Sequence, residues 1–345
     1  MSKVRLGFVG AGFMGQVAHL ANYAQIPDCE LVALAEKRPE LRSLVAEHYN
    51  IPRQFESHRE IAAEDDIDAV VSVLPYTLNK EVAITLLEAG KDVLIEKPMA
   101  QTLAEAEEMV EAAEKAGAKL MVGFMKRYDA GVELASQRLI ELQKTKELGE
   151  ATFARAHVFG GEWTCGQRQP ITTDEPKADR PAQKCPGWLS EEYLRDFHHF
   201  LNIASHNINL LRFLLRRKIE VKAVEYGPTK LVVFDCGGFP AVLELGRISA
   251  HFWDEETKIY LEKGWMNVCT PPPLLKNIPA KVEIYRGGEK PAFEYACAEW
   301  SWAFKRQAEH FIHCILEDKE PRTSGRDSLD DMRLIEDIFR RLVSS

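Results

Sequence analysis

No apolar run in this sequence approaches the ~20 residues that a membrane-spanning helix needs. There is no excess of basic charge: 44 Lys and Arg stand against 53 Asp and Glu, a net charge of −9. That argues against sequence-independent binding to nucleic acid or to an anionic membrane, which needs a basic surface. There is no C-x-x-C pair. The seven cysteines, at 29, 165, 185, 236, 269, 297 and 314, are odd in number and scattered. This argues against a zinc site or a disulfide framework and fits a reducing cytoplasm. Internal repeats and low-complexity tracts are also lacking. Lys3 and Arg5 precede an apolar stretch, as in a secretory signal, but Gly7, Gly10, Gly12 and Gly15 interrupt it, so it reads as mature structure. What is there is a chain of 345 residues, 46% apolar and 28% charged. That is the composition of a soluble globular protein with length for two domains.

The first half alternates strands and helices. Val4–Val9 is an apolar strand, and Gly10-Ala11-Gly12-Phe13-Met14-Gly15 follows at once. Val17, Leu20, Ala21 and Ala24 then recur at helical spacing to about Gln25. Strand, G-x-G-x-x-G, then helix is the context of a dinucleotide-binding loop. Gly10 makes the tight turn, Gly12 lets the backbone approach a pyrophosphate, and Gly15 permits close helix–strand packing. A helix N-terminus there offers free N–H groups and a positive dipole end to the phosphates. Leu31–Ala35 is a second buried strand ending at Glu36, an acid at the right distance from Gly15 to accept hydrogen bonds from a ribose. Glu36 favours NAD; Lys37 and Arg38 suit a 2′-phosphate, so NADP stays open. Ala69–Leu74, closed by Pro75, and Val93–Ile95 are further buried strands around a helix from Asn79 to Ala89. Thr102-Leu103-Ala104-Glu105 reads as a capping box for a helix to about Ala116, and Lys119–Phe124 as another strand. Continuous apolar strands alternating with helices imply a parallel, doubly wound sheet. Val93-Leu94-Ile95-Glu96-Lys97-Pro98 places a lysine at the carboxyl end of a strand, where such sheets bind ligands.

After Phe124 the alternation stops. A helix from Gly131 to about Lys144 leads to a half-exposed strand, Thr152–Phe159. Residues 160–188, rich in Pro, Gly and polar residues, read as a long functional or mobile loop bracketed by Trp163 and Trp188. A helix from Glu191 to Arg217 carries Asp196, His198, His199, Asn202 and His206. Strand-like runs follow at Val221–Tyr226, Leu231–Asp235, Ala241–Arg247, Lys258–Glu262, Trp265–Cys269 and Lys281–Arg286. Helices at Glu299–Glu317 and Ser328–Val343 close the chain. The expected fold class is α/β. It has an N-terminal Rossmann domain, residues 1–124, and a C-terminal α+β domain with a large, mostly antiparallel open sheet, residues 125–345.

These features together resemble the Gfo/Idh/MocA family of NAD(P)-dependent oxidoreductases. The resemblance rests on the glycine loop at 10–15, Glu96-Lys97-Pro98, Gly123-Phe124-Met125-Lys126-Arg127-Tyr128, the Ser205–Leu211 helix and Arg306-Gln307-Ala308-Glu309-His310-Phe311. It implies a cofactor set of Gly10, Gly12, Phe13, Met14, Gly15, Glu36, Arg38, Leu74, Pro75, Glu96 and Lys97. Pro98 is expected after a cis peptide bond. Lys97 and His206 are the implied catalytic pair, with Arg127, Tyr128 and Asn202 facing the substrate. The sequence departs from the family pattern at Asn202, where an aspartate is usual, and at Tyr76 and Asn79, where asparagine and histidine are common. Asp196, His198 and His199 stand near the changed position as replacements or as ordinary helix-surface residues. Arg127 and Tyr128 have a domain-junction ion pair as their alternative.

The resemblance implies hydride transfer between NAD, or NADP, and a secondary alcohol or keto group of a sugar, cyclitol or sugar derivative. Two other functions remain: glycoside cleavage assisted by a tightly held NAD, and catalytically silent dinucleotide binding. The expected partners are a small-molecule substrate and further copies of the chain, as a homodimer or homotetramer through the C-terminal sheet. No metal, nucleic acid or membrane partner is expected, and the expected location is cytoplasmic.

Overall fold

Strand β1 (Val4–Val9) buries every residue but Arg5, as a strand covered on both faces must. In this computed structural model, which describes residues 3–248 and 252–344, it lies inside a six-stranded sheet. The other strands are β2 (Cys29–Ala35), β3 (Arg53–Phe55), β4 (Ala69–Ser72), β5 (Asp92–Ile95) and β6 (Leu120–Val122). Their order is β3-β2-β1-β4-β5-β6, and every pairing is parallel. The helical connections are α1 (Ala21–Tyr23), α2 (Pro39–His48), α3 (His58–Ala62), α4 (Asn79–Glu88) and α5 (Leu103–Ala116). Strand order reverses between β1 and β4, which is where an open sheet of this kind leaves a crevice beyond its carboxyl ends.

Several details differ from the sequence reading. The helix after the glycine loop begins as a π-helical segment, Gly15–Leu20, before the short α1. All six of its residues are buried, so it has no amphipathic stripe from which its winding is readable. Strand β4 stops at Ser72 rather than Leu74. Pro75, which has no N–H to donate, starts the 3-10 turn Tyr76–Leu78 instead. Only half of the expected capping box forms: Thr102 Oγ1 accepts the Glu105 N–H, but the Glu105 carboxylate bonds the N–H of Gln101. The short β3 and α3 and the helix α2 went unread; the first two are too brief for a periodicity to develop.

The described chain divides into two units. One comprises residues 1–124, 166–190 and 304–332; the other comprises 125–165, 191–303 and 333–345. Most of the long loop thus belongs with the parallel sheet. The second unit contains α6 (Ala130–Thr145), β7 (Ala151–Gly160) and α7 (Leu194–Leu215). The strands β8 (Glu220–Tyr226), β9 (Lys230–Asp235), β10 (Pro240–Arg247) and β11 (Asp254–Leu261) follow. β12 (Gly264–Cys269), β13 (Lys281–Arg286) and β14 (Ala292–Ala296) complete an eight-stranded sheet. Its order is β14-β13-β12-β11-β7-β10-β9-β8, and only the β7–β10 pairing is parallel. β14 was invisible in the sequence because no residue in it is buried. Helices α6 and α7 cover one face of this sheet, over Ala154, Ala156, Val158, Leu243, Ile259, Met266 and Ile284. The other face carries half-buried Arg155, His157, Glu244, Glu256, Trp265 and Tyr285. Helices α8 (Ala303–Leu316) and α9 (Gly325–Val343) end the chain; α8 starts later than the expected Glu299.

Candidate active site

The glycine loop is built as its spacing demands. Gly10 has φ +92°, and a Cβ there would lie 2.6 Å from the Val73 carbonyl oxygen and 2.8 Å from Leu74 Cδ2. No L side chain fits that turn without strain. A Cβ on Gly15 would meet the Gly10 carbonyl oxygen at 2.4 Å, so the π-helical segment can seat against β1 only through glycine. At Gly12 no atom lies within 4 Å of the Cβ position. That open space at a helix start is what a pyrophosphate approaching the backbone requires, so the loop fits a dinucleotide. Phe13 and Met14 are half-buried between these glycines, and Leu74 and Pro75 are half-buried beside them in sequence with β4.

Glu36, at the end of β2, is 8% exposed and takes the Ala11 N–H at 2.9 Å. Arg38 grips it as a fork, Nε to Oε1 at 2.9 Å and Nη2 to Oε2 at 3.0 Å, and adds its own backbone N–H. Burial on its own would raise the Glu36 pKa. The Arg38 hydrogen bonds and the Ala11 N–H outweigh it and hold the carboxyl below its usual range. Glu36 is therefore an ionised acceptor fixed at the glycine loop. Arg38 is spent on it rather than left for a phosphate.

Lys97 follows β5 in a turn held from two sides. The Lys97–Pro98 peptide is cis. Asn79 is fully buried at the start of α4, and its Nδ2 donates to the carbonyls of Glu96 at 2.9 Å and Pro98 at 3.0 Å, with Met99 at 3.4 Å. His19 Nε2 meets Glu96 Oε1 at 2.7 Å, and the other Glu96 oxygen accepts the Lys97 N–H at 3.1 Å. The His19 ring packs edge-on against Phe304. The backbone around Lys97 is thus clamped by side chains from α4 and from the glycine-loop helix. Lys97 itself is half-buried.

In the second unit, His206 lies on α7. His199, Asn202 and His206 are spaced three and four residues apart and share one helical stripe. Along it His199 and Asn202 are exposed and His206 half-buried. His198 does not join that stripe, and Asp196, three residues before His199, is turned to another partner. The Asp196 carboxylate sits beside the Tyr226 hydroxyl, whose pKa is raised by burial first and by that charge second. His198 is 4% exposed, with its ring against Phe197. Asn207, next to His206, turns inward: its Nδ2 donates to Glu255 Oε1 at 2.7 Å. The same carboxylate pairs with Lys126 and accepts Trp253 Nε1 at 2.9 Å. Arg127 is 4% exposed; its Nε donates to Asn209 Oδ1 at 2.7 Å, and its guanidinium lies over Phe213. Tyr128 is 1% exposed. Both residues are packed into the second unit.

Sequence reasoning missed four residues: Gln16, His19, Asn79 as a clamp, and Glu175. His19, four residues beyond Gly15, carried a faint signal, being a polar residue inside an otherwise apolar run. Gln16 and Glu175 carried none, because the bonds of Gln16 to Ile171 and of Glu175 to Glu40 and Leu41 span 155, 135 and 134 positions.

Residues 4–124 match the model of an oxidoreductase family with an NAD-binding Rossmann fold. The inositol 2-dehydrogenase of Rhizobium meliloti is 23% identical over 99% of this chain and 97% of its own. The levoglucosan dehydrogenase of Pseudarthrobacter phenanthrenivorans is 28% identical over 65% of this chain, a match spanning 54% of that enzyme. Among solved structures, the aldose–aldose oxidoreductase of Caulobacter crescentus superposes with a TM-score of 0.74 at 22% identity, over 99% of this chain and 98% of its own.

Proposed function

From membership of the Gfo/Idh/MocA oxidoreductase family, to which this chain belongs, we propose that it oxidises a secondary alcohol of a sugar or cyclitol, or reduces the matching ketone. The observation that carries this reading is the clamped Glu96-Lys97-Pro98 turn, on the same sheet edge as the glycine loop and Glu36. A nicotinamide dinucleotide bound along that edge supplies the hydride acceptor or donor. Gly10, Gly12, Phe13, Met14 and Gly15 hold its phosphates, Glu36 its ribose, and Leu74, Pro75 and Glu96 border its far end.

Lys97 donates a hydrogen bond from its ammonium to the substrate oxygen, favouring the carbonyl as it forms. The neutral His206 imidazole takes the hydroxyl proton as the C–H electron pair leaves, and returns it in the reverse direction. Asn202 cannot exchange a proton at neutral pH but holds a substrate hydroxyl through its amide. His199, on the same stripe, is the nearest titratable neighbour in sequence for the position that lacks an aspartate. Arg127, bonded to Asn209, supports the helix that carries Asn202 and His206. The parallel-sheet unit is the cofactor domain; the unit bearing the antiparallel sheet takes substrate and assembles copies into a dimer or tetramer. The proposed compartment is the cytoplasm, in keeping with seven free cysteines.

A panel of sugars and cyclitols offered with NAD⁺ and with NADP⁺ tests the reading. One ketone formed per reduced nicotinamide is expected from at least one class. Net cleavage without net reduction would replace the reading with glycoside cleavage, and tight NADH binding without turnover of any member would replace it with dinucleotide binding alone.

A further inference from the structure

The parallel-sheet unit contains a segment that its Rossmann frame does not need. Residues 166–190 run along the carboxyl edge of the sheet and are tied down at separated points. At the glycine loop, the Gln16 carboxamide bonds both sides of one residue: Ile171 N–H to Oε1 at 3.0 Å, and Nε2 to the Ile171 carbonyl at 3.1 Å. Gln16 is fully buried and also donates to the Ala11 carbonyl. Near β4, Gln183 donates to the Tyr76 hydroxyl at 2.6 Å, and beyond β5 the Lys184 N–H meets Gln101 Oε1 at 2.9 Å.

The middle tie bears on cofactor choice. Helix α2 has Arg38 at its N-cap, whose side chain makes no capping hydrogen bond, and Pro39 follows. Its orphan N–H groups are taken by Glu175, 135 and 134 residues away in sequence. Glu40 N–H meets Oε1 and Leu41 N–H meets Oε2, each at 2.9 Å. The Thr173 hydroxyl completes the set at 2.9 Å from Oε2. Burial acts to raise the Glu175 pKa, but these donors, with Arg38 close by, hold it below the ordinary carboxylate range.

A 2′-phosphate on the adenosine ribose lies just past the acid that ends β2, over the start of the next helix, where an arginine commonly meets it. Here the helix N–H groups are already bonded to one carboxylate and Arg38 to another. Resting on the reading of the glycine loop as a cofactor site, we propose that Glu175 sets NAD over NADP by occupying the 2′-phosphate position with its own negative charge. The loop thereby contributes a specificity residue that lies outside the β2–α2 turn.

The test measures Kd for NADH and for NADPH by fluorescence titration in wild type, Glu175→Gln and Glu175→Ala, at low and high salt. Wild type is expected to prefer NADH. In both variants the preference is expected to shrink by about tenfold or more, the worth of freeing charge-accepting donors. NADH affinity is expected to change little, and the gain for NADPH to fade as salt rises. Glu175→Gln keeps an acceptor for the helix and guards against a variant that fails to fold. An unchanged ratio in variants that still bind NADH overturns the inference alone, as does a wild type that prefers NADPH. A wild type that binds neither dinucleotide overturns the cofactor reading, and the inference with it.

Discussion

Asn79 shows what a single side chain decides in this molecule. The sequence marked it only as a departure from a family habit. Buried at the head of α4, it donates to backbone carbonyls on both sides of Lys97. Replacing it with alanine leaves those acceptors without a donor in a site closed to water. A stability loss of about 1–3 kcal/mol is expected. Urea unfolding measures it, and an unchanged midpoint would show that the clamp is dispensable. His19 works at the same scale: His19→Phe keeps an aromatic ring against Phe304 but removes the bond to Glu96. Lower kcat with unchanged NADH affinity is expected, since the loss falls on the Lys97 turn. An equal loss of both would mean that His19 serves only the glycine loop. Lys97 and the glycines were legible in the sequence because each is tied to a strand end in its own neighbourhood. Their supports were not, because a hydrogen-bond partner leaves no periodicity.

Among elements, the turn from β2 to α2 sets three charged residues side by side, Glu36, Lys37 and Arg38. Glu36 is held ionised below the carboxylate model value of 4.5. A depressed carboxylate contributes stability that is fully present above its unfolded pKa and disappears as pH falls through the folded value. The melting temperature of wild type should therefore exceed that of Glu36→Gln at neutral pH, and the gap should close as pH drops below about 4.5. Parallel curves down to the acid limit would contradict the assignment. The long helix α7 was read correctly as a helix, but its faces were not. Eight polar residues over the fourteen positions from Asp196 to Asn209 gave no way to tell the stripe of His199, Asn202 and His206 from the buried His198 or from Asp196 beside Tyr226. Burial set His198 apart, and the neighbouring Tyr226 hydroxyl set Asp196 apart.

At the scale of the whole chain, composition and alternation were enough for a parallel sheet followed by a mostly antiparallel one, and the structure has both. They were not enough to assign residues 166–190 and 304–332 to the first unit, since such membership depends on contacts between segments far apart in sequence. The uncovered face of the eight-stranded sheet ends in an aromatic row across β12, β13 and β14. Trp265 pairs with Tyr285 and Tyr285 with Phe293, and Phe293 and Tyr295 are 55% and 70% exposed. Exposed aromatics in a contiguous row suit association. Light scattering is expected to show a dimer or tetramer, and Phe293→Asp with Tyr295→Asp to reduce it to a smaller species. A wild-type monomer would remove the assembly role proposed for this sheet.

The central claim is that Lys97 acts on the reacting oxygen. Paired measurement of NADH Kd and of kcat in Lys97→Ala tests it most directly, using a substrate found in the sugar and cyclitol panel. The account predicts an NADH Kd close to wild type and a kcat lower by about 10²–10⁴, the usual worth of a group that steers proton and charge at the reacting atom. Near-normal turnover in that variant would contradict it.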